Sequence, residues 1–176
     1  SEKVNEIIGH GKYFVFVMHR QENLMKEDFV RDVVNRVVKG ASAECRCVIL
    51  LHAITRNTFA KLGMLELLRY NPNIILLPRT AYCDFMKLLN SAEFVITDGG
   101  SNQEELYYMG QPCLIIRNRS ERDEGLNKNA SLFNGNLDMI SEFIDTYGSR
   151  TKESVKIEES PSTIITDYLE KKLGEY

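Results

Sequence analysis

The sequence lacks a basic surplus, a long apolar run and a recognisable zinc-binding arrangement of cysteines. Its 176 residues carry 22 lysines and arginines against 25 aspartates and glutamates, which gives a formal net charge of −3. Nucleic-acid-binding domains usually carry obvious positive charge, so this composition argues against that class. No apolar stretch approaches the length of a membrane span, and residues 1–5 lack the features of a signal peptide. We therefore expect a cytoplasmic protein that binds neither nucleic acid nor membrane.

Cysteine is also scarce, and its placement does not favour a metal site. A Cys-x-Cys pair without further ligands is weak evidence for zinc, and such residues are more often buried thiols. We therefore predict buried thiols and expect no metal or other cofactor. The four cysteines are Cys45, Cys47, Cys83 and Cys113.

What the sequence does contain is enough apolar residues, 43%, to build a sizeable core in one domain. Short continuous apolar runs alternate with segments of helical spacing, which is typical of buried parallel strands joined by helices. We predict an α/β fold with a Rossmann-like, doubly wound parallel sheet. The predicted strands are residues 13–18, 47–51, 74–77, 94–96 and 113–116.

The predicted helices come from the 3.6-residue spacing of apolar side chains. The polar stretch 148–160 is predicted to be a loop, and residues 161–176 are predicted to form a terminal helix. The helical segments are residues 29–38, 59–68, 85–89, 136–147 and 163–173.

Polar residues follow each predicted strand. In open α/β sheets ligands bind beyond the carboxyl ends of the strands, so these positions are the candidate site. Two of the three histidines, His19 and His52, lie at such ends. His19 has two interpretations: a strand-end histidine satisfied by neighbouring backbone, or a functional group. Arg20 and Glu22 beside it favour the second.

The segment after the fourth run has the pattern of an anion-binding turn. Gly99 and Gly100 allow close approach of backbone to a ligand, and the first turn of the next helix offers N–H groups to a phosphate. Ser101 and Glu104 have the spacing of a capping box, which predicts a helix start at Ser101. The alternative is a tight turn that needs glycine for conformation alone. A second carboxylate, Glu105, suits ribose hydroxyls.

A charged segment, residues 117–124, follows the fifth run. Its mixed signs are typical of a solvated loop. If the loop faces the glycine turn, however, Arg122 is suited to bind a diphosphate with two hydrogen bonds. Arg117 and Arg119 are further candidates for the same site.

Taken in order, these motifs resemble the UDP-N-acetylglucosamine 2-epimerase family over nearly the whole chain. The family pattern reads Gly-His-Arg-x-Glu-Asn, Thr-Asp-Ser-Gly-Gly-x-Gln-Glu-Glu and Thr-Glu-Arg-Pro-Glu. The matching segments here are Met18-His19-Arg20-Gln21-Glu22-Asn23, Thr97-Asp98-Gly99-Gly100-Ser101-Asn102-Gln103-Glu104-Glu105, Gly110-Gln111-Pro112 and Ser120-Glu121-Arg122-Asp123-Glu124-Gly125.

The resemblance implies the UDP-binding C-terminal half of a two-domain GT-B-type enzyme. Such an enzyme interconverts UDP-GlcNAc and UDP-ManNAc by elimination and re-addition of UDP, for cell-surface polysaccharide synthesis. The family's catalytic carboxylates belong to the N-terminal domain, so the isolated chain is expected to be inactive, and the full-length protein is a candidate homodimer.

The resemblance also implies individual roles. His19 would stabilise the departing diphosphate or move a proton, and the remaining site residues would bind the nucleotide sugar. His52 matches a histidine linked to allosteric substrate binding, but the Asn-Pro that usually follows nearby is absent, so we predict no such regulation. The implied substrate-binding residues are Arg20, Glu22, Gly99, Gly100, Ser101 and Arg122, with Glu105 at the ribose and Phe85 near the uracil.

The chain departs from the family at the phosphate turn, where Ser-Gly-Gly has become Gly99-Gly100-Ser101, and at Asp123, where the family has proline. Two alternative functions therefore stay open. One is a half-domain of a GT-B-type glycosyltransferase, since the same architecture serves sugar transfer. The other is a non-catalytic module that binds nucleotide sugars.

Overall fold

A computed structural model describes residues 1–147, 154–155 and 160–173. Its centre is a six-stranded sheet in which every pairing is parallel and the strand order is β3-β2-β1-β4-β5-β6. The order reverses direction at β1 and β4, which creates the crevice that open α/β sheets use for ligands. The strands are β1 (Tyr13–Val17), β2 (Arg46–Leu51), β3 (Ile74–Pro78), β4 (Val95–Thr97), β5 (Cys113–Ile115) and β6 (Ala130–Leu132).

Helices cover both faces of the sheet, which confirms the predicted α/β, doubly wound fold. Their bounds are α1 (Glu2–Gly9), α2 (Gln21–Leu24), α3 (Glu27–Gly40), α4 (Ala53–Lys61), α5 (Met64–Tyr70), α6 (Tyr82–Ser91), α7 (Gly100–Met109), α8 (Asp138–Thr146) and α9 (Pro161–Leu173).

The core has two layers because successive side chains of a strand point to opposite faces. Phe14 and Phe16 of β1 pack into one layer, while Val15 and Val17 pack into the other. All four are buried, and each contributes about 1.5–3 kcal/mol of burial free energy. Burial on both faces explains why β1 reads as an uninterrupted apolar run.

Helix α9 differs from the other long helices because its apolar side chains are exposed. Ile164, Ile165, Tyr168 and Leu169 each expose half or more of their surface. The residues from 148 to 160 that precede it were predicted to be a loop, and most of them lie outside the described residues. None of the described helices is both long and apolar enough to cross a bilayer.

Three details of the fold differ from the sequence predictions. Strand β6 was not predicted, because Ala130–Leu132 is short and contains a serine. The helix predicted over residues 59–68 is two helices, since Gly63 adopts a left-handed conformation (φ 69°) that ends α4 and starts α5. Cys83, in the first turn of α6, is exposed, so the prediction of a buried thiol is wrong there, and Cys45 is only half-buried.

Candidate functional site

The carboxyl ends of β1 to β4 and the first turns of α6 and α7 enclose a cavity of about 260 Å³. All these strands are parallel, so residues far apart in the sequence meet at one edge of the sheet. The cavity is lined by His19, His52, Thr80, Phe85, Gly100 and Glu105, among others.

Asp98 is a buried charge behind His19, one of the cavity residues. It is fully buried, and its carboxylate accepts hydrogen bonds from the backbone N–H groups of His19 and Arg20 and from the Asn23 amide, each at 3.0 Å. Burial raises its pKa, but hydrogen bonds from His19, Arg20 and Asn23 outweigh burial, so the pKa of Asp98 lies below its ordinary value. The ionised carboxylate thus ties the end of β1 to the end of β4.

The ring of His19 lies between Asp98 and His52. Its Nδ1 is 3.2 Å from Oδ1 of Asp98, and its ring stacks on that of His52 with a centroid distance of 4.8 Å. Burial first, and then the charges of His19 and Arg79, lower the pKa of His52, although Asp98 acts in the opposite direction. The lowered pKa means that this position disfavours the charged form of His52.

The glycine turn is built as predicted, but the helix starts one residue earlier. Helix α7 begins at Gly100 with Gly99 as its N-cap, and no side chain caps it. The predicted capping box is therefore wrong. Glu104 does not return to the start of the helix because its carboxylate pairs with Arg122. The first N–H groups of α7 lack helical carbonyl partners, as at any helix start. Gly100, Ser101 and Asn102 of this first turn line the cavity.

The arginine loop, residues 117–124, is held beside this turn by Gln103. Gln103 is fully buried on α7, and its Nε2 donates to the carbonyl oxygens of Arg122 (3.0 Å) and Glu124 (2.9 Å). Its Oε1 accepts from the Ser120 hydroxyl at 2.5 Å. One side chain of α7 therefore fixes the position of the loop.

Two guanidinium groups of this loop converge over Gly100. A Cβ atom built on Gly100 would lie 3.1 Å from Oε1 of Glu121, 3.4 Å from Nε of Arg122 and 3.5 Å from Nη1 of Arg117. Both nitrogens are buried and have no hydrogen-bond partner among the described residues. Arg122 pairs with Glu104 and Arg117 with Glu121 through other nitrogens. The Arg117 hydrogen bond lowers the pKa of Glu121 to about 2.

The structure brings most of the predicted site residues together. His19, Phe85, Gly99, Gly100, Ser101 and Glu105 line the cavity. Arg122 reaches the turn from the arginine loop. Arg20 and Glu22 do not line the cavity: Nε of Arg20 pairs with Oε1 of Glu22 at 2.6 Å. Their predicted contact with substrate stays a prediction.

Sequence reasoning missed the residues that organise the site. Asp98, Gln103 and Asn102 were read only as parts of a motif, yet all three are buried polar residues. Their types gave no sign of burial, because aspartate, asparagine and glutamine are usually exposed. Among the described residues, no group of three or more histidines, cysteines or carboxylates is arranged to hold a metal ion.

The buried carboxylate gives an expected pH dependence of stability. Because the folded state lowers the pKa of Asp98, its stabilisation is present above the unfolded-state value of about 3.9 and is lost as the pH falls below it. Asp98→Asn should cost about 2 kcal/mol at neutral pH. Urea unfolding of both proteins between about pH 5 and pH 2 should show a shallower loss for the variant. Parallel curves would contradict this account.

These features define a Rossmann-like α/β domain with a glycine turn and two converging arginines at the switch point of its sheet. A family model described as UDP-N-acetylglucosamine 2-epimerase matches residues 1–162. The chain belongs to the UDP-N-acetylglucosamine 2-epimerase family.

Curated relatives agree with this assignment. The UDP-N-acetylglucosamine 2-epimerases of Methanococcus maripaludis and Methanocaldococcus jannaschii are 28% and 25% identical over 133 and 132 residues. These matches cover 75% and 74% of this chain but 36% of each relative. A Pseudomonas aeruginosa relative, a UDP-2,3-diacetamido-2,3-dideoxy-D-glucuronate 2-epimerase, is 27% identical over 141 residues, which cover 79% of this chain and 38% of the relative. The chain thus spans well under half the length of these proteins.

Solved structures show the same fold. The M. jannaschii UDP-GlcNAc 2-epimerase in complex with UDP-GlcNAc and UDP superposes with a TM-score of 0.83 at 20% identity, covering 96% of this chain and 48% of that one. The Neisseria meningitidis enzyme bound to UDP-GlcNAc gives 0.76 at 21%, covering 96% and 49%. The rhamnosyltransferase SpnG gives 0.54 at 15%, covering 80% and 37%.

Proposed function

We propose that this chain is the UDP-binding C-terminal half of an epimerase that interconverts UDP-GlcNAc and UDP-ManNAc. The observation that carries the proposal is a pair of guanidinium nitrogens, on Arg117 and Arg122, that converge over Gly100 at the start of α7. Neither has a hydrogen-bond partner in the part of the chain that the structure describes. Buried donors without partners are rare in folded proteins, so their convergence indicates a ligand.

The chemistry of this spot favours a diphosphate. The helix start offers backbone N–H groups and partial positive charge, and the two arginines add charge-assisted hydrogen bonds. Glu104 and Glu121 pair with other nitrogens of the two guanidinium groups, which fixes their orientation. An arriving anion would displace Oε1 of Glu121 from its place over Gly100. The site therefore presents two donors of fixed geometry to an anion.

The rest of the cavity suits a nucleoside attached to that diphosphate. Glu105 lies one helical turn beyond Ser101 and is placed to accept hydrogen bonds from ribose hydroxyls. Phe85 of α6 provides an aromatic surface for the uracil at the same cavity. Tyr82 stands beside Glu105, whose negative charge raises the pKa of the Tyr82 hydroxyl.

His19 would act where the sugar joins the diphosphate. In the elimination step the bond between sugar C1 and the diphosphate oxygen breaks, UDP leaves with the electron pair, and the C2 proton passes to a base. His19, held by Asp98, would stabilise or protonate the departing oxygen. The base would come from the rest of the full-length protein, so UDP binding without turnover is expected of this chain.

Calorimetric titration of UDP, UDP-GlcNAc and ADP tests the proposal. We expect UDP and UDP-GlcNAc to bind with similar micromolar to millimolar affinity, about 4–8 kcal/mol, and ADP not to bind detectably. Arg122→Ala and Glu105→Ala should each weaken UDP binding about tenfold, because each removes a contact to a different part of the ligand. Arg69→Ala, on α5 away from the cavity, is the matched control.

Two outcomes would contradict the proposal. UDP binding that neither substitution alters would place the nucleotide elsewhere, and equal binding of ADP would remove the assignment to a uridine nucleotide. The Pseudomonas relative is named for a different sugar, so relatives of this chain differ in substrate. The choice of UDP-GlcNAc and UDP-ManNAc is therefore itself part of the proposal.

A second candidate function is glycosyl transfer, because a rhamnosyltransferase shares this fold. The two reactions differ at sugar C2, because epimerisation exchanges its proton with solvent and transfer does not. Incubating the two-domain protein with UDP-GlcNAc in deuterated water separates them. Deuterium at C2 supports the epimerase, and transfer to an acceptor without deuterium at C2 overturns it.

A further inference from the structure

A directed series of hydrogen bonds runs from the phosphate turn to Glu105. The N–H of Gly99 donates to Oγ1 of Thr97 at 3.0 Å, and the Thr97 hydroxyl donates to Oδ1 of Asn102 at 3.0 Å. The amide Nδ2 of Asn102 then donates to Oε2 of Glu105 at 3.1 Å. Thr97 is fully buried and Asn102 exposes 9% of its surface. Successive hydrogen bonds of this kind strengthen one another in a dry interior.

The direction of the series fixes the orientation of the Asn102 amide. A backbone N–H only donates, so Thr97 accepts from Gly99 and its own hydrogen is left for Asn102. The carbonyl end of the amide must therefore face Thr97, and the NH₂ end must face Glu105. Glu105 receives a donor from a side chain that has little freedom to turn.

Gly99 makes this arrangement possible. A Cβ atom at position 99 would lie 2.5 Å from Oδ1 of Asn102, which is closer than real Cβ contacts. Any larger residue would displace the amide. The absence of a side chain at Gly99 and the presence of asparagine at position 102 are thus two parts of one local structure.

We propose that Asn102 is a positioning residue that holds the Glu105 carboxylate in the orientation that binds the ribose hydroxyls. The inference rests on the proposed function, since it assigns Glu105 to the ribose. Asn102 occupies one carboxylate oxygen, Oε2, and Tyr82 lines the same cavity as this carboxylate. An ionised carboxylate has about four acceptor positions, so capacity for the ribose diol remains.

The test compares UDP with 2′,3′-dideoxy-UDP, which lacks the two ribose hydroxyls. Dissociation constants of both ligands are measured for the unchanged chain, for Glu105→Ala and for Asn102→Asp. Aspartate at 102 keeps the acceptor for Thr97 and nearly the same volume, but it cannot donate to Glu105. We expect the unchanged chain to prefer UDP about tenfold and both variants to lose most of that preference, while their affinity for dideoxy-UDP changes less than about threefold.

Asn35→Asp, on the exposed surface of α3, is the matched control and should leave both affinities unchanged. A merely structural role of Asn102 would weaken both ligands equally, and that result would overturn the inference. So would an unchanged preference for UDP in Asn102→Asp when Glu105→Ala abolishes it. Failure of the unchanged chain to bind UDP at all would instead overturn the proposed function.

Discussion

Substitution of His19 by asparagine should reduce epimerisation about 100- to 10,000-fold. The assay uses the two-domain protein, in which this chain is combined with the domain that its relatives carry in addition. UDP affinity should change less than about fivefold, since His19 contacts the reacting end of the ligand in our proposal. The expected result is therefore a loss in kcat with KM nearly unchanged.

The physical reason is the separation of two tasks within the His19 side chain. Nδ1 faces Asp98, and the rest of the ring borders the cavity. Asparagine places its amide nitrogen close to the Nδ1 position, so a polar side chain still faces the buried carboxylate. It lacks the second ring nitrogen and does not titrate near neutrality, so the group that would serve the leaving diphosphate is lost.

Turnover is measured as C2 deuterium incorporation and as formation of the epimeric sugar. His10→Asn is the control, because His10 is exposed at the end of α1, outside the cavity. Activity of His19→Asn within about threefold of the unchanged protein would remove His19 from the catalytic step.

Substitution of Gly100 by alanine should weaken UDP binding about 100-fold, or about 2.7 kcal/mol, without destabilising the fold. The added methyl group would occupy the space over the turn where Nε of Arg122 and Nη1 of Arg117 converge. A phosphate needs that space to reach both nitrogens and the helix N–H groups. Gly100 has no positive φ and starts a helix, where alanine is the better helix former.

Binding and stability are therefore expected to move in opposite directions. Calorimetry gives the first and thermal unfolding the second. Gly9→Ala is the matched control, because Gly9 also lies in a helix and an added Cβ meets no atom within 4 Å. Unchanged UDP affinity in Gly100→Ala would show that the phosphates lie elsewhere.

The sheet was predictable from the sequence to the extent that its strands are covered on both faces. Strands β1, β2, β4 and β5 appear as continuous apolar runs because both of their faces are largely buried. The edge strand β3 is only partly buried, and it was recognised because residues 74–77 are all apolar. Strand β6 lies at the edge of the sheet, and the half-buried Ser131 and Leu132 leave it no such signal. The break at Gly63 depends on a single left-handed residue, which apolar spacing does not reveal.

The candidate site was predictable in its location and only partly in its contacts. Polar residues after each strand marked the edge of the sheet that holds the cavity, and Gly99 and Gly100 marked the turn. The capping box failed because Glu104 pairs with Arg122, 18 positions along the chain, and local spacing carries no information about such a partner. The same limit hid Asp98, whose partners are 75 to 79 positions away.

The hydrogen bonds of Gln103 to the arginine loop affect the entropy change expected when an anion binds. A charged surface loop that is ordered only when its ligand arrives loses conformational freedom at that moment, and the affinity is reduced accordingly. Here one buried amide makes three hydrogen bonds to the loop before any ligand is present. The conformational entropy of the loop is therefore lost during folding. The two guanidinium groups are already preorganised for the anion that we propose.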